Sequence, residues 1–184
     1  MEVLGPPAQG REPLAMILVT GAAGFIGKRL LDGLMADGLA CRSLSRTPSS
    51  GPNHVVANLA NRQVLNTACA GVTTVFHCAG HAHAFHSLSV ADDKLHWRVN
   101  FEGTRNLVEA AVENGVRRFV FLSSVKAMAD PGSSCASEDL PGEPETAYGQ
   151  AKRAAEETVL ALGSRHAIHV VNLRLAMVYG AGGR

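Results

Sequence analysis

Residues Ala15 to Gly27 read AMILVTGAAGFIG, a short apolar run followed at once by a loop with three glycines. The run Ala15–Thr20 is continuous and apolar, as in a strand buried on both faces of a sheet. Apolar residues then recur at helical spacing as far as Gly38, which is well placed to end a helix. A strand, a glycine loop and a helix in this order put a pyrophosphate at a helix N-terminus, where unpaired N–H groups and the helix dipole favour negative charge.

Each of the three glycines has a place in such a loop. Gly21 would form the tight turn, Gly24 would let the backbone touch phosphates, and Gly27 would let the helix pack closely on the sheet. The GxxGxxG spacing differs from GxGxxG, and by itself an ordinary strand–helix turn is the alternative. The strand before the loop and the helix after it favour the phosphate-binding interpretation.

The rest of the chain repeats the alternation of strands and helices. Further strands are predicted at Cys41–Ser45, His54–Ala57, Val72–Cys78, Arg118–Ser123 and His169–Leu173. Helices are predicted from about residue 95 to 114 and over Tyr148–Leu162. Short links between them predict an α/β fold with a doubly wound parallel sheet over residues 15–184. Residues 1–14 are expected to form a loosely ordered leader, and residues 129–145 a surface loop near the ligand.

Composition narrows the class of protein. The 184 residues are 46% apolar and 18% charged, which is a globular balance for one domain. The net charge of +1 gives no sign of a nucleic-acid partner. No window approaches 18 consecutive apolar residues, so we expect no membrane span. Four widely spaced cysteines fit free thiols in a reducing cytoplasm.

Two polar groups are candidates for chemistry. Tyr148 and Lys152 are four residues apart and share a helix face, where the ammonium is expected to lower the pKa of the phenol. Spacing alone is also compatible with an exposed i,i+4 pair on a helix surface. Ser123 and Ser124 end the fifth strand at the edge where such sheets bind ligands, with a turn-forming pair as the alternative.

Several histidines crowd one loop, and a metal site is the competing interpretation there. These residues are His77, His81, His83 and His86. Partners at metal-ligand spacing are lacking apart from Cys78, so a loop beside a cofactor is favoured and no metal is predicted.

Six motifs in order carry a resemblance that covers the chain from about Met16 onward. They are TGAAGFIG (20–27), HCAG (77–80), VNFEGT (99–104), FLSSVK (121–126), YGQAK (148–152) and RLAMVYG (174–180). The set resembles the extended short-chain dehydrogenases/reductases, within them the NAD(P)-dependent nucleotide-sugar epimerase/dehydratase/reductase group. The resemblance implies a Rossmann-type domain and a Ser-Tyr-Lys catalytic set formed by Ser124, Tyr148 and Lys152. It also implies cofactor contacts from Gly21, Gly24, Phe25, Ile26, Gly27, Ser45, Arg46, Asn58, Leu59, Ala79, Gly80, Asn100, Tyr148 and Lys152.

Two departures from the family pattern refine the expectation. Val125 and Lys126 stand where dehydratases usually carry Asp-Glu, which disfavours dehydration. Ser45 and Arg46 stand where NAD-preferring members carry an acid, which favours NADP over NAD. Asn58 replaces the usual Asp beside adenine, and an amide can still donate and accept there.

The resulting hypothesis is hydride transfer at C4 of a nucleotide-linked sugar, with a UDP-sugar as the expected partner. The alternatives are a steroid- or flavonoid-type alcohol reductase and a cofactor-binding domain without turnover. The resemblance implies a smaller lobe that completes the substrate site, and we expect that lobe to lie outside these 184 residues. We expect Trp97 in the core or at a subunit contact. The second position would be compatible with a homodimer.

Overall fold

The computed structural model describes residues 15–49, 53–81, 90–132, 135–140 and 142–182. The predicted leader, residues 1–14, lies outside the described residues. The strands are β1 Met16–Thr20, β2 Cys41–Ser45, β3 His54–Val56, β4 Val72–His77, β5 Arg118–Ser124 and β6 His169–Leu175. The helices are α1 Phe25–Ala36, α2 Arg62–Cys69, α3 Val90–His96, α4 Gly103–Glu113 and α5 Ala147–His166.

The six strands form one sheet in the order β3-β2-β1-β4-β5-β6, and every neighbouring pair is parallel. The doubly wound fold predicted from the sequence is therefore confirmed. The chain reverses its winding direction between β1 and β4, where Thr20 pairs with His77. In sheets of this kind the crevice at that reversal, at the carboxyl ends of the strands, is where ligands bind.

Two helical features differ from the sequence prediction. Helix α2 was not predicted, because its eight residues bury only Leu65, Ala68 and Cys69, and so short an apolar face gives a weak periodic signal. The helix predicted from about residue 95 begins at Val90 and is interrupted by a π-helical segment, Trp97–Glu102, before α4. Such widened turns are common at functional sites.

The core lies between the sheet and the helices that cover it. Phe119, Phe121, Leu18, Val75 and Leu107 are all fully buried. Burying such side chains contributes roughly 1.5–3 kcal/mol each relative to leaving them exposed. This packing holds the carboxyl ends of β1, β4 and β5 in fixed positions beside one another. No helix in the described ranges is long and apolar enough to cross a bilayer.

Candidate active site

The glycine loop lies at the crevice between β1 and β4. Gly21 has φ +67°, and a Cβ there would lie 2.6 Å from the backbone nitrogen of Ala79. A side chain at Gly27 would collide with the Gly21 carbonyl oxygen. The Gly24 N–H donates to that same oxygen at 2.8 Å, which closes the turn. Glycine is therefore required where the loop touches both the segment after β4 and the start of α1.

The N-terminus of α1 has no side-chain cap. Its N-cap residue is Gly24, and its first turn, which starts at Phe25, contains no acidic residue. Unpaired N–H groups at such a terminus attract anions, and the helix dipole adds to the attraction. The local structure thus fits the phosphate-binding role predicted for this loop.

A buried chain of hydrogen bonds joins β1 to α4 through His77. Thr104 Oγ1 donates to the Asn100 carbonyl oxygen at 2.7 Å, so it accepts from His77 Nε2 at 2.9 Å. His77 Nδ1 then accepts from Thr20 Oγ1 at 2.7 Å. Burial, with a smaller effect from the charge of Lys152, lowers the pKa of His77 to about 3. The imidazole is therefore neutral and carries its proton on Nε2.

Asn100 lies within the π-helical segment and is fully buried. Its Oδ1 accepts from the His81 N–H at 2.7 Å, and its Nδ2 donates to the His81 carbonyl at 3.0 Å. A Cβ on Gly80 would lie 3.1 Å from Asn100 Oδ1 and 3.5 Å from Lys152 Nζ. The structure thus brings together Gly80, Asn100 and Lys152, three of the residues for which the family resemblance implies cofactor contacts.

Lys152 projects from α5 into the end of the sheet. Only 5% of the residue is exposed, and Nζ donates to the Leu122 carbonyl oxygen of β5 at 2.8 Å. The ammonium also lies 4.6 Å from the centre of the Phe121 ring. Burial lowers the pKa of Lys152 to about 8, with the charges of Glu156 and Cys78 acting in the opposite direction. Two of its three N–H donors remain for other partners.

The start of α5 places Tyr148 beside Ser124. Thr146 caps the helix by accepting from the Gly149 N–H at 3.1 Å. Gly149 packs directly on the Lys126 carbonyl oxygen, where a Cβ would collide, so α5 lies against the short 3₁₀ turn that follows β5. The Ser124 hydroxyl accepts from the Lys126 N–H at 3.2 Å and lies close enough to Tyr148 to act on the pKa of the phenol.

The electrostatics of Tyr148 differ from the sequence prediction. Burial raises the pKa of Tyr148, and the nearby Ser124 hydroxyl offsets part of that rise. The expectation that Lys152 lowers the pKa of the phenol is wrong for this structure, because burial of the phenol has the larger effect.

At the edge of the sheet formed by β2 and β3, several polar groups at the strand ends are already used in hydrogen bonds within the protein. Ser45 Oγ donates to the Thr47 carbonyl oxygen at 2.7 Å. Asn58 Oδ1 accepts from the Ala60 N–H at 2.9 Å. Leu59 is 8% exposed, lies in the core, and accepts a hydrogen bond from Asn106 at its carbonyl oxygen. The Arg46 side chain is exposed and has no hydrogen bond or ion pair with any other described residue. Cofactor contacts from these residues stay predictions.

One buried histidine was missed by the sequence analysis. His96 is fully buried, and its ring meets the ring of Tyr148 edge to face at 5.4 Å and the ring of His81 at 4.9 Å. The one sequence signal for it was its position four residues before Asn100, which places both side chains on the same face of a helix. His83 and His86 lie outside the described residues, and within the described ranges no three His, Cys, Asp or Glu side chains form a group that could hold a metal ion.

A separate groove of about 1060 Å³ runs between α5, β6 and the segment that follows β5. Glu156 and Arg174 line it and form an ion pair at 2.8 Å. Its lining contains no residue of the glycine loop, so this groove is distinct from the crevice between β1 and β4.

Comparison with known proteins agrees with this arrangement. The family model described as "NAD dependent epimerase/dehydratase family" matches residues 17–184. The chain is 32% identical to a 3-beta-hydroxysteroid dehydrogenase of Mycolicibacterium neoaurum over 182 residues, covering 94% of this chain and 50% of that protein. It is also 32% identical to a UDP-glucose 4-epimerase of Vibrio cholerae over 173 residues, covering 90% of this chain and 52% of the epimerase.

The solved structures give the same picture. MoeE5 in complex with UDP-glucose and NAD has a TM-score of 0.81 and 31% identity, covering 92% of this chain and 56% of MoeE5. The chain thus spans about half the length of the relatives it matches. Because the family model covers nearly the whole chain, the chain belongs to the NAD-dependent epimerase/dehydratase family.

Proposed function

We propose that this chain forms the cofactor-binding and catalytic part of an NAD(P)-dependent epimerase or 4-keto reductase acting at C4 of a UDP-linked sugar. The convergence of Ser124, Tyr148 and Lys152 beside the glycine loop carries the proposal. Ser124 lies beside Tyr148, and Lys152 lies next to Gly80 and Asn100. A proton-transfer group and a ribose-binding group therefore flank the end of one crevice.

The residues present fit a dinucleotide. The uncapped N-terminus of α1 supplies N–H donors for a pyrophosphate, and no acidic side chain of its first turn opposes one. A Cβ on Gly21 would lie 2.6 Å from the backbone nitrogen of Ala79, so glycine lets the loop approach the segment after β4 this closely at the base of the crevice. A nicotinamide, when bound, accepts or gives the hydride; the protein supplies orientation and proton transfer.

Each catalytic side chain has a defined task in this proposal. Tyr148 gives or takes the proton of the C4 hydroxyl, and Ser124 donates a hydrogen bond to the same oxygen. Lys152 is held by the Leu122 carbonyl oxygen and directs its remaining N–H donors to the ribose and toward the phenol. A proton held by a raised pKa suits Tyr148 to act as an acid when a keto group is reduced.

NADP is the proposed cofactor because of Arg46. Its guanidinium is exposed at the carboxyl end of β2 and is not engaged by another described side chain. A free guanidinium there can form a paired contact with a 2′-phosphate. The solved relative MoeE5 holds NAD, so the preference for NADP is a property proposed for this chain alone.

The relatives support two substrate classes. UDP-sugar enzymes and steroid dehydrogenases both match at 32% identity, and the second class is the competing function. Val125 and Lys126 after the catalytic serine favour epimerisation or reduction over dehydration. We place the sugar first because the motif SSVK resembles that of the C4 epimerases and 4-keto reductases.

The test is turnover of both classes by purified protein in which this chain is joined to a substrate-binding lobe, because the family resemblance places part of the substrate site in that lobe. UDP-glucose and UDP-N-acetylglucosamine are incubated with NAD⁺ and, separately, NADP⁺, and the C4 epimer is separated by chromatography. A 3β-hydroxysteroid is incubated under the same conditions, and formation of the reduced nicotinamide cofactor is followed by absorbance at 340 nm. The Tyr148→Phe variant is the inactive control. We expect the UDP-sugar product; oxidation of the steroid without any change in the UDP-sugars would assign the second class instead.

A further inference from the structure

His54, the first residue of β3, makes hydrogen bonds to Ser43 within β2 and to Thr47, two residues beyond the end of β2. It is the register partner of Ser43, and its Nδ1 lies 2.8 Å from Ser43 Oγ. Its Nε2 lies 3.1 Å from the Thr47 carbonyl oxygen. Neither the family motifs nor the catalytic set includes this histidine.

The partners fix which nitrogen carries the proton. A carbonyl oxygen only accepts, so His54 Nε2 donates to Thr47, and Nδ1 accepts from the hydroxyl of Ser43. Ser45 Oγ donates to the same Thr47 oxygen at 2.7 Å. Two donors from neighbouring strands thus converge on one carbonyl oxygen.

This convergence holds the backbone on both sides of Arg46. Ser45 is fixed through its hydroxyl and through its carbonyl oxygen, which accepts from the Ala57 N–H at 3.0 Å. Thr47 is fixed by His54. Arg46 stands between them with its side chain exposed and unpaired among the described residues. The anchored turn is also tied to the glycine loop, because the Leu44 carbonyl accepts from the Ala22 N–H at 3.3 Å.

We propose that His54 is a positioning residue that makes Arg46 selective for a 2′-phosphate over a 2′-hydroxyl group. The inference rests on the proposed binding of NADP at this edge of the sheet. A guanidinium on an anchored turn does not lose backbone freedom when it binds, whereas one on a free turn must be ordered by the ligand. Because the 2′-hydroxyl of NAD gains little from a guanidinium, the anchoring matters mainly for NADP.

The experiment measures dissociation constants for NADPH and NADH by fluorescence titration of the full chain. We expect His54→Ala to reduce the ratio Kd(NADH)/Kd(NADPH) by roughly fivefold while Kd for NADH stays within about twofold. His54→Phe keeps a ring of similar volume but neither nitrogen, and it should lower the ratio as His54→Ala does. It provides the test if the alanine variant does not fold. His54→Gln can still donate and accept, and should restore most of the ratio.

The matched control is His169→Ala, since His169 is an exposed histidine on β6 at the opposite edge of the sheet. It should leave the ratio unchanged. In the double variant Arg46→Ala/His54→Ala, the second change should add little to the first, because His54 acts through Arg46.

The outcomes separate this inference from the function on which it rests. If Arg46→Ala lowers the ratio and neither His54→Ala nor His54→Phe does, the role of His54 is overturned while NADP binding stands. Equal weakening of both cofactors by the His54 variants would likewise overturn it, since that is the result of a merely structural role. If the wild-type chain binds neither cofactor, or Arg46→Ala leaves the ratio unchanged, the cofactor assignment itself falls.

Discussion

Thr20 on β1 and His77 on β4 are register partners across the crevice of the sheet, and their side chains are joined by a buried hydrogen bond of 2.7 Å. The same imidazole donates to Thr104, which in turn donates to the carbonyl of Asn100. The strand that leads into the glycine loop is therefore connected to the helical turn beside Lys152. Neutral His77 is required for this sequence of donors and acceptors.

Acid should destabilise the chain through His77. The unfolded chain takes up a proton near the ordinary pKa of 6.5, whereas folded His77 does so only near its pKa of about 3. Stability from this group is thus complete above pH 6.5 and is lost as pH falls toward 3. Between pH 7 and pH 5 we expect the wild type to lose about 2 kcal/mol more unfolding free energy than His77→Gln. Urea denaturation at the two pH values measures it, and equal losses would contradict the neutral assignment.

Tyr148→Phe should abolish most turnover and spare cofactor binding, because it removes only the hydroxyl that carries the proton. We expect kcat to fall by about 10²–10⁴-fold. Kd for the nicotinamide cofactor should stay within about twofold, as measured by titration alongside the rate. A variant whose kcat lies within twofold of wild type would remove Tyr148 from the mechanism.

Lys152→Met should make the ligand-free chain more stable at pH 7. The pKa of Lys152 is lowered from 10.5 to about 8, so at pH 7 the folded chain bears the full cost of a buried ammonium. That cost disappears as pH rises from about 8 to 10.5. Folded Lys152 loses its proton over this range while the unfolded chain still keeps it, so the stability of the folded chain rises with pH. Loss of the bond to Leu122 offsets part of the gain, and we expect a Tm higher by roughly 2–4 °C.

Calorimetry at pH 7 and pH 10 tests this, since the advantage of Lys152→Met should shrink at the higher pH. Lys28→Met is the matched control, because Lys28 is exposed on α1 and pairs with Asp32 at the surface. A lower Tm for Lys152→Met than for this control at pH 7 would show that the buried ammonium stabilises the fold.

Arg46→Ala should weaken NADP(H) by about 10- to 100-fold and leave NAD(H) largely unchanged. A charged hydrogen bond to a 2′-phosphate contributes roughly 1.5–3 kcal/mol, and NAD has no such group. Calorimetric titration with the two cofactors gives both numbers. Equal losses for both would assign Arg46 to some other task.

The features that could be read from the sequence are those with local signals. The apolar run before Gly21 and the helical spacing that follows Gly24 predicted the unit of β1, glycine loop and α1, and the close approach of Gly21 to Ala79 explains why the loop needs glycine. Six apolar segments separated by short links predicted the parallel sheet. The i,i+4 spacing of Tyr148 and Lys152 predicted a shared helix face.

The features that escaped the sequence depend on distant partners. His54 contacts Thr47 and His96 contacts Tyr148, each across a gap in sequence, and no local pattern encodes such contacts. The pKa of Tyr148 was predicted from one neighbour, Lys152, whereas burial by the whole surrounding structure sets its direction. The π-helical segment Trp97–Glu102, which contains Asn100, likewise interrupts a stretch whose helical spacing predicted one continuous helix.

The most direct test is to locate dinucleotide binding on the chain itself by titrating ¹⁵N-labelled protein with NADPH and following amide resonances. We predict saturable shifts confined to the crevice, at the glycine loop, at Ala79 and Gly80, and around Arg46. No saturable shift, or shifts confined to the groove beside β6 with the amides of Gly21, Gly24 and Gly27 unmoved, would contradict cofactor binding at this site.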